Sequence, residues 1–401
     1  MANKFKPISI SLSPNVQKDD ILVVVKLLFQ PWKWKNGSAI KKFEKEFATY
    51  LGVKHAFSFN SGRSSLYVIL KALNLPQGGN VVLQAFTCNA VPNPVLWAGL
   101  NPVYVDCAND FNADPEKLKG DVVIVQHTFG LPAQIPSGAG IVIEDCAHAL
   151  GAEINGKKVG TVGKAGFFSF SRDKVISSVY GGMAVTNDDE LGEKLEALQK
   201  EFGQPSHFWI LQQLLHPLLL NFIILPLYGF INLGKLILIF SQVTHVVSKA
   251  VSWQEKRGLR PDYFPKALPN ALAMMAQNQF NKLEKFNAHR KQIAEFYDKE
   301  LANTKFVLPK KENNIFLRFA VQHLEATEIL YEAWHKENML LGDWYTTPIA
   351  PDDTKLDQMK YTPGMCLNAE YLAKRTLNLP THINISMDDA QRIVNFLQRW
   401  K

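Results

Sequence analysis

Four short apolar runs constrain this chain more than any other feature. NVVLQAF (80–86), NPVYVD (101–106), DVVIVQH (121–127) and GIVIEDC (140–146) are bounded by turn residues. Runs of this kind read as strands buried on both faces, which occur in parallel sheets covered by helices. Helical or loop stretches separate them. AIKKFEKEFATYL (39–51) spaces its apolar side chains as a helix does, HAFSFNSG (55–62) reads as a strand entering a turn, and SSLYVILKAL (64–73) as a helix. Strands alternating with helices imply right-handed crossovers and an α/β large domain through about residue 205. With 401 residues, 47% of them hydrophobic, the chain can build more than one core. The expected units are an N-terminal arm (1–36), a large domain (37–205), an apolar insertion (206–255) and a smaller α+β C-terminal domain (256–401).

A net charge of +7 is spread along the chain, and no zinc spacing or nucleic-acid motif accompanies it, so neither a metal nor a nucleic acid is expected. Cys88, Cys107, Cys146 and Cys366 show no paired spacing. That argues against a disulfide framework and for a reducing compartment. The opening MANKFKPISISLSPNVQKDD lacks the apolar core of a signal peptide, so a cytoplasmic location is expected.

Three local patterns sit at predicted strand ends, where open α/β sheets place their ligands. Asn60-Ser61-Gly62-Arg63-Ser64-Ser65 joins a strand to a helix; free amides at a glycine turn and a helix N-terminus can cradle phosphate or simply cap the helix. In IVIEDCAHALG, Glu144 and Asp145 end a strand, and one carboxylate projects into the cleft beyond it. A buried carboxylate needs a cation or strong donor, such as a protonated pyridine nitrogen, and His148 lies close by; a helix cap with a core histidine is the other reading. In AGFFSFSRDKVISSVYGGMAVTND, Lys174 follows an aromatic strand and precedes a Gly-Gly turn. A desolvated lysine loses its proton easily and becomes a nucleophile toward an aldehyde.

In order and context these patterns resemble the DegT/DnrJ/EryC1/StrS family of sugar aminotransferases. The residues that carry the resemblance are SGRSSL (61–66), QAFTC (84–88), PVYVD (102–106), HTFGLPA (127–133), EDCAHALGA (144–152), FSFSRDK (168–174) and GGMAVTND (181–188), with NAEYLAKRTLNLPTHINIS (368–386) near the end. The resemblance implies a type I pyridoxal-phosphate transferase fold, a mostly parallel central sheet and a smaller α+β domain. It implies a homodimer, and an amino group moving from glutamate or glutamine to a nucleotide-linked keto sugar, for surface polysaccharide or glycolipid. By the same resemblance Lys174 carries pyridoxal 5'-phosphate as a Schiff base and shuttles a proton. Asp145 pairs with the pyridine nitrogen, Ser169 and the amides of Gly62, Arg63 and Ser64 meet the phosphate, and His148 packs near the ring. Cys88 stands where many members have an aromatic ring over the pyridine, and Arg63 where they have threonine. Asn270 and Lys266 are candidates for the contact that the family makes with a partner subunit's phosphate. Lys174 argues against the dehydratase branch, which has histidine there. A non-catalytic membrane scaffold is the rival from another class.

The insertion is the departure. Residues 208–240 hold one charged residue, Lys235. One crossing would put the halves of the active site on opposite sides of a membrane, and two need more residues than are present. With Pro217 and Pro226 interrupting a continuous helix, the expectation is a monotopic, in-plane or re-entrant hairpin on the inner face of the cell membrane, and a buried hairpin or dimer interface is the other reading. Lys249, Lys256, Arg257 and Arg260 follow it and suit anionic head groups. None of the proposed cofactor contacts lies within 206–252, so the insertion is expected to be separable from the site.

Overall fold

The computed structural model describes residues 6–400. Seven strands form the central sheet: β1 (His55–Phe59), β2 (Asn80–Gln84), β3 (Asn101–Val105), β4 (Val122–Gln126), β5 (Ile141–Asp145), β6 (Ala165–Ser169) and β7 (Gly182–Thr186). Their order is β1-β7-β6-β5-β4-β2-β3, and only β7 runs antiparallel to its neighbours. The reason is local. The chain passes from β6 to β7 through residues 170–181 without a crossover helix, and neighbouring strands joined that directly must be antiparallel. Lys174 sits on this loop. The register pairs Phe167 with Asp145, so the carboxyl ends of β5 and β6 open onto the same edge as the loop.

Helices α1 (Lys18–Leu28), α2 (Ala39–Leu51), α3 (Gly62–Ala72) and α4 (Asp189–Phe202) cover the sheet. On one side Leu66, Ile69 and Leu70 of α3 meet Val81 and Leu83 of β2. On the other, Phe43 and Phe47 of α2 pack edge-on against Phe168 and Phe170, with ring centroids 5.1–5.7 Å apart.

The apolar insertion folds as a helical hairpin, α5 (His207–Leu219) and α6 (Leu233–Val243). Pro217, expected to interrupt the helix, is accommodated inside it. The run continues through a widened turn (Leu220–Ile224) and a tight one (Leu225–Leu227) before ending, and Asn221 Nδ2 donates to the Pro217 carbonyl at 2.8 Å. The helical stretch His207–Leu227 is long and apolar enough to span a membrane, yet half of its apolar window is covered by protein. Trp209, Ile210 and Leu214 face into the large-domain core. Gly234 lets the two arms cross: a Cβ there would lie 2.2 Å from the Ile224 carbonyl oxygen. The outer face stays bare, with Phe222, Ile231, Leu236, Phe240 and Val243 between 60% and 80% exposed.

Next come α7 (Asn270–Phe280) and α8 (Leu283–Leu301). Although α7 follows residue 256, it packs with α2, and Ala271, Leu272 and Ala276 belong to the large-domain core. The C-terminal domain's own core begins at Ile293 on α8. It is built on the antiparallel pair β8 (Phe319–Gln322) and β9 (Thr376–Leu379), with α9 (Ala326–Glu337) and α10 (Met387–Leu397). Two further pairings lace the units together. Ile8–Ser9 of the arm runs parallel to Met339–Leu340, and Ile349–Ala350 runs parallel to Thr87–Cys88 at the rim of the large sheet.

Candidate active site

The strand ends enclose a cavity of about 480 Å³, within the size range of cofactor and small-molecule sites. One end is the start of α3. Ser61 caps that helix, its Oγ accepting from the Ser64 amide at 3.0 Å. Gly62 follows, pressed against β6: a Cβ there would come 2.8 Å from the Ser169 side chain. Ser61, Gly62, Arg63 and Ser169 all border the cavity. Amides at an eleven-residue helix's N-terminus, beside a serine hydroxyl, suit an anion such as a phosphate ester. Ser64 is not on the cavity wall, because its amide serves the cap. The Arg63 guanidinium is turned to a buried ion pair with Glu255 and a 3.2 Å bond to the Ala250 carbonyl.

Asp145 ends β5, buried, with Oδ1 accepting from the Ala147 amide at 3.0 Å. Burial pushes its carboxyl up to about 6, although that amide, Lys174 and His127 pull the other way. This is an anion short of a partner. Glu144, one residue earlier, is the opposite case. Its two oxygens accept from the Gly160, Val162 and Gly163 amides, each at 2.8 Å, and His127 Nε2 lies at 3.2 Å. His127 Nδ1 accepts from the Ala133 amide, so its proton is on Nε2 and points to Glu144. His127 and Glu144 thus form a buried staple between this strand end and the 160–163 turn, with Cys146 beside them.

Lys174 opens onto the cavity. Burial brings its amine down to about 8, offset in part by Cys88 and Asp145, with Arg318 adding to the depression. Its backbone is held rigidly: Asn15 Nδ2 donates to the Lys174 carbonyl at 2.7 Å, and Arg290 Nη2 to the Val175 carbonyl at 2.7 Å. A neutral-prone amine facing a carboxylate that lacks a cation, with an anion cradle in the same cavity, fits pyridoxal phosphate. Lys174 would take the aldehyde, Asp145 the ring nitrogen, and Ser169 with the α3 amides the phosphate.

His148 lies between Phe129 and Trp344, stacked at centroid distances of 5.9 and 5.3 Å. Burial, Lys174 and Arg318 hold it neutral, well below the usual imidazole range. It therefore packs and accepts, taking the Phe129 amide at 3.3 Å, and supplies no charge.

The remaining walls were not foreseen. Trp344 and Tyr345 of the C-terminal domain roof the cavity, carried there by the Ile349–Ala350 pairing beside Cys88. The Trp344 ring lies 4.6 Å from Lys174 Nζ and 3.4 Å from the Arg318 guanidinium. The aromatic surface that Cys88 cannot offer is thus brought in by a residue far along the chain, for which no local pattern gives a signal. Ala250 and Val251 form another wall. This corrects the expectation that the insertion is separable: its return segment is part of the site. Asn270 and Lys266 lie elsewhere. Asn270 bonds the Ala39 amide and the Lys33 carbonyl, and Lys266 Nζ the Phe202 carbonyl at 2.9 Å. Both are engaged within their own chain.

Known proteins share this sequence pattern and fold. The model of the DegT/DnrJ/EryC1/StrS aminotransferase family matches residues 14–209 and 255–398, breaking off at the hairpin. A UDP-N-acetyl-3-dehydro-alpha-D-glucosamine 3-aminotransferase from Acidithiobacillus ferrooxidans is 27% identical over 95% of this chain and 94% of its own length. A GDP-perosamine synthase from Caulobacter vibrioides is 33% identical over 49% of this chain and 57% of its own. Among solved structures, Helicobacter pylori PseC, an aminotransferase involved in pseudoaminic acid biosynthesis, superposes with a TM-score of 0.73 over 98% and 99% of the two chains at 22% identity. That last likeness speaks to the fold.

Proposed function

We propose a function from one premise: this chain belongs to the DegT/DnrJ/EryC1/StrS aminotransferase family. It is a pyridoxal-phosphate-dependent aminotransferase, and its acceptor is a keto sugar carried on a nucleotide. The observation that supports this acceptor best is the near full-length relative whose name specifies a 3-dehydro sugar on UDP. Glutamate or glutamine is the proposed donor, a homodimer the proposed assembly, and an amino sugar for a surface polysaccharide or glycolipid the product.

Bound pyridoxal phosphate supplies an aldehyde and an electron-withdrawing ring, through which an amino group can leave one substrate and enter another. The chain's residues do the rest. Lys174 Nζ, with its proton affinity brought near neutrality, both attacks carbonyl carbon and passes protons at working pH. Asp145 fixes a positive charge at the far end of the ring. Trp344, Tyr345 and the 250–251 wall exclude water from the reacting atoms. The test is a half-reaction. The aminated form of the enzyme, mixed with UDP- and GDP-linked 3-keto and 4-keto sugars, should return to its starting absorbance with at least one of them. A response to small keto acids alone would reject a sugar acceptor.

We place the enzyme on the cytoplasmic face of a membrane, with the hairpin's outer face in one leaflet. The support is the bare apolar face itself, flanked by exposed Trp253, Lys249, Arg257 and Arg260. Burying a large apolar side chain is worth about 1.5–3 kcal/mol, so a face of five such residues binds lipid appreciably. Phe222→Ser with Ile231→Ser, Leu236→Ser and Phe240→Ser should move the protein from the detergent-requiring membrane fraction to the soluble one while it keeps its cofactor. A parent that is already soluble without detergent, and dimeric until these residues are changed, would make the face an interface between copies.

A further inference from the structure

The cavity's anion-binding end has a second cation, to which neither the family pattern nor the mechanism assigns a task. Arg172 stands two residues before Lys174 on the β6–β7 loop. It is 9% exposed and borders the cavity with Gly62, Arg63 and Ser169. Arg63 has its charge met by Glu255. Arg172 does not. Its Nη2 donates to the Ser248 carbonyl at 2.6 Å and the Ser248 hydroxyl at 2.8 Å, both neutral groups, and its Nε is buried without a partner. A guanidinium taken out of water is costly until an anion joins it, and the cavity it borders already holds a helix N-terminus and a serine hydroxyl.

The hydrogen bonds that aim Arg172 come from the hairpin. The Ser248 hydroxyl donates to Gln213 Oε1 at 2.7 Å, and Gln213 Nε2 is anchored to the Trp209 carbonyl at 2.8 Å. Beside them Tyr180 hydrogen-bonds the carbonyls of Lys249 and Ala250, and the Arg172 guanidinium lies 5.4 Å from the Tyr180 ring. The return segment 248–250 is therefore fastened to the loop that carries Lys174, and the fastening orients the arginine.

We infer that Arg172 is a phosphate anchor supplied by the same chain as Lys174, and that α5 and the return segment position it through Gln213 and Ser248. This rests on the reading of the cavity as the pyridoxal phosphate site. A phosphate ester is the ligand chemistry. It could come from the cofactor's monoester or from the diphosphate of the sugar nucleotide, and we assign the cofactor's, because Arg172 shares its wall with Gly62 and Ser169.

The experiment compares equilibrium binding of pyridoxal phosphate, pyridoxal and UDP to full-length protein in detergent, followed by absorbance and tryptophan fluorescence. Arg172→Gln should weaken pyridoxal phosphate about ten- to a hundredfold, the worth of a charge-assisted hydrogen bond, and leave pyridoxal unchanged. Arg172→Lys should fall between, keeping the charge but losing the Nη2 bonds to Ser248 that aim it. Ser248→Ala and Gln213→Leu should each produce a smaller loss of the same selectivity, which a merely structural role would not. Equal losses for pyridoxal and its phosphate would overturn the proposal, as would an unchanged ratio with weakened UDP. Borohydride trapping of pyridoxal on Lys174 separates the two levels of inference. If the parent traps nothing there, the cofactor reading fails. If trapping succeeds and selectivity does not move in the Arg172 variants, only the anchor fails.

Discussion

Replacing Lys174 with alanine should remove the visible band of the lysine-bound cofactor and lower turnover by about 10⁴-fold or more, since it removes a nucleophile and a proton-transfer group, the latter alone worth about 10²–10⁴. Lys174→Arg should do the same, because a guanidinium keeps its proton. Borohydride reduction of the parent followed by peptide mapping should mark Lys174, and a mark on another lysine would end the assignment. The pH profile carries the sign of the environment. Only the neutral amine attacks, and its proton is lost near pH 8 in the folded protein against 10.5 for a solvated lysine. Uptake of pyridoxal phosphate by the apoprotein, followed by stopped-flow absorbance, should therefore speed up toward pH 8 and level off above it. A rate still climbing tenfold per unit at pH 9 would mean a lysine in ordinary solvent.

Asp145 should show opposite effects on stability and on chemistry. In the apoprotein its pKa is raised from 3.8 to about 6 by burial, so the folded state holds that proton more tightly than the unfolded chain. The carboxyl then costs nothing below about pH 4. Above about pH 6 it costs its full penalty, about 3 kcal/mol at 1.36 kcal/mol per unit. Asp145→Asn should accordingly raise the apoprotein's melting temperature at pH 7 and leave it nearly unchanged at pH 4. The same variant should lose cofactor affinity and slow the half-reaction about 10- to 1000-fold, matching the one to three units by which a facing charge shifts a partner's proton affinity. A variant that melts no higher and transaminates at the parental rate would make Asp145 a cap and nothing more.

Much of this was legible locally. Asp145 and Lys174 could be found because strand ends and the turns after them are encoded in stretches of about ten residues. So could the cradle at Ser61-Gly62, where cap and glycine adjoin. Trp344 could not: it reaches the site beside the pairing of Ile349–Ala350 with Thr87–Cys88, a contact across more than 250 residues that no periodicity announces. The helix 270–280 was legible as a helix but not as part of the large domain, since an apolar stripe does not say which core receives it. The apolar composition pointed to a hairpin at 208–240. What it hid was the service of the next ten residues as a wall, because SKAV has neither period nor charge pattern. Pro217 misled for a related reason: a helix can run through proline when the turn after it widens, and here the Asn221 side chain adds a bond to the Pro217 carbonyl inside that turn.

The hairpin's place in the chain also sets a schedule for synthesis. All seven strands of the sheet and α1, which packs on α5, precede it, whereas α7, which completes the large-domain core, follows it. The helix that shields its inner side, α7, ends at Phe280, some 37 residues after α6 ends at Val243. At roughly 5–20 residues per second the ribosome needs about 2–7 seconds to cover that interval. During it the hairpin's outer face is bare and its inner face is covered only by α1 and the strands already made, while the pocket still lacks its Trp344 roof. A nearby bilayer would be the first apolar phase the nascent chain could meet, so docking on the membrane would precede loading of the cofactor.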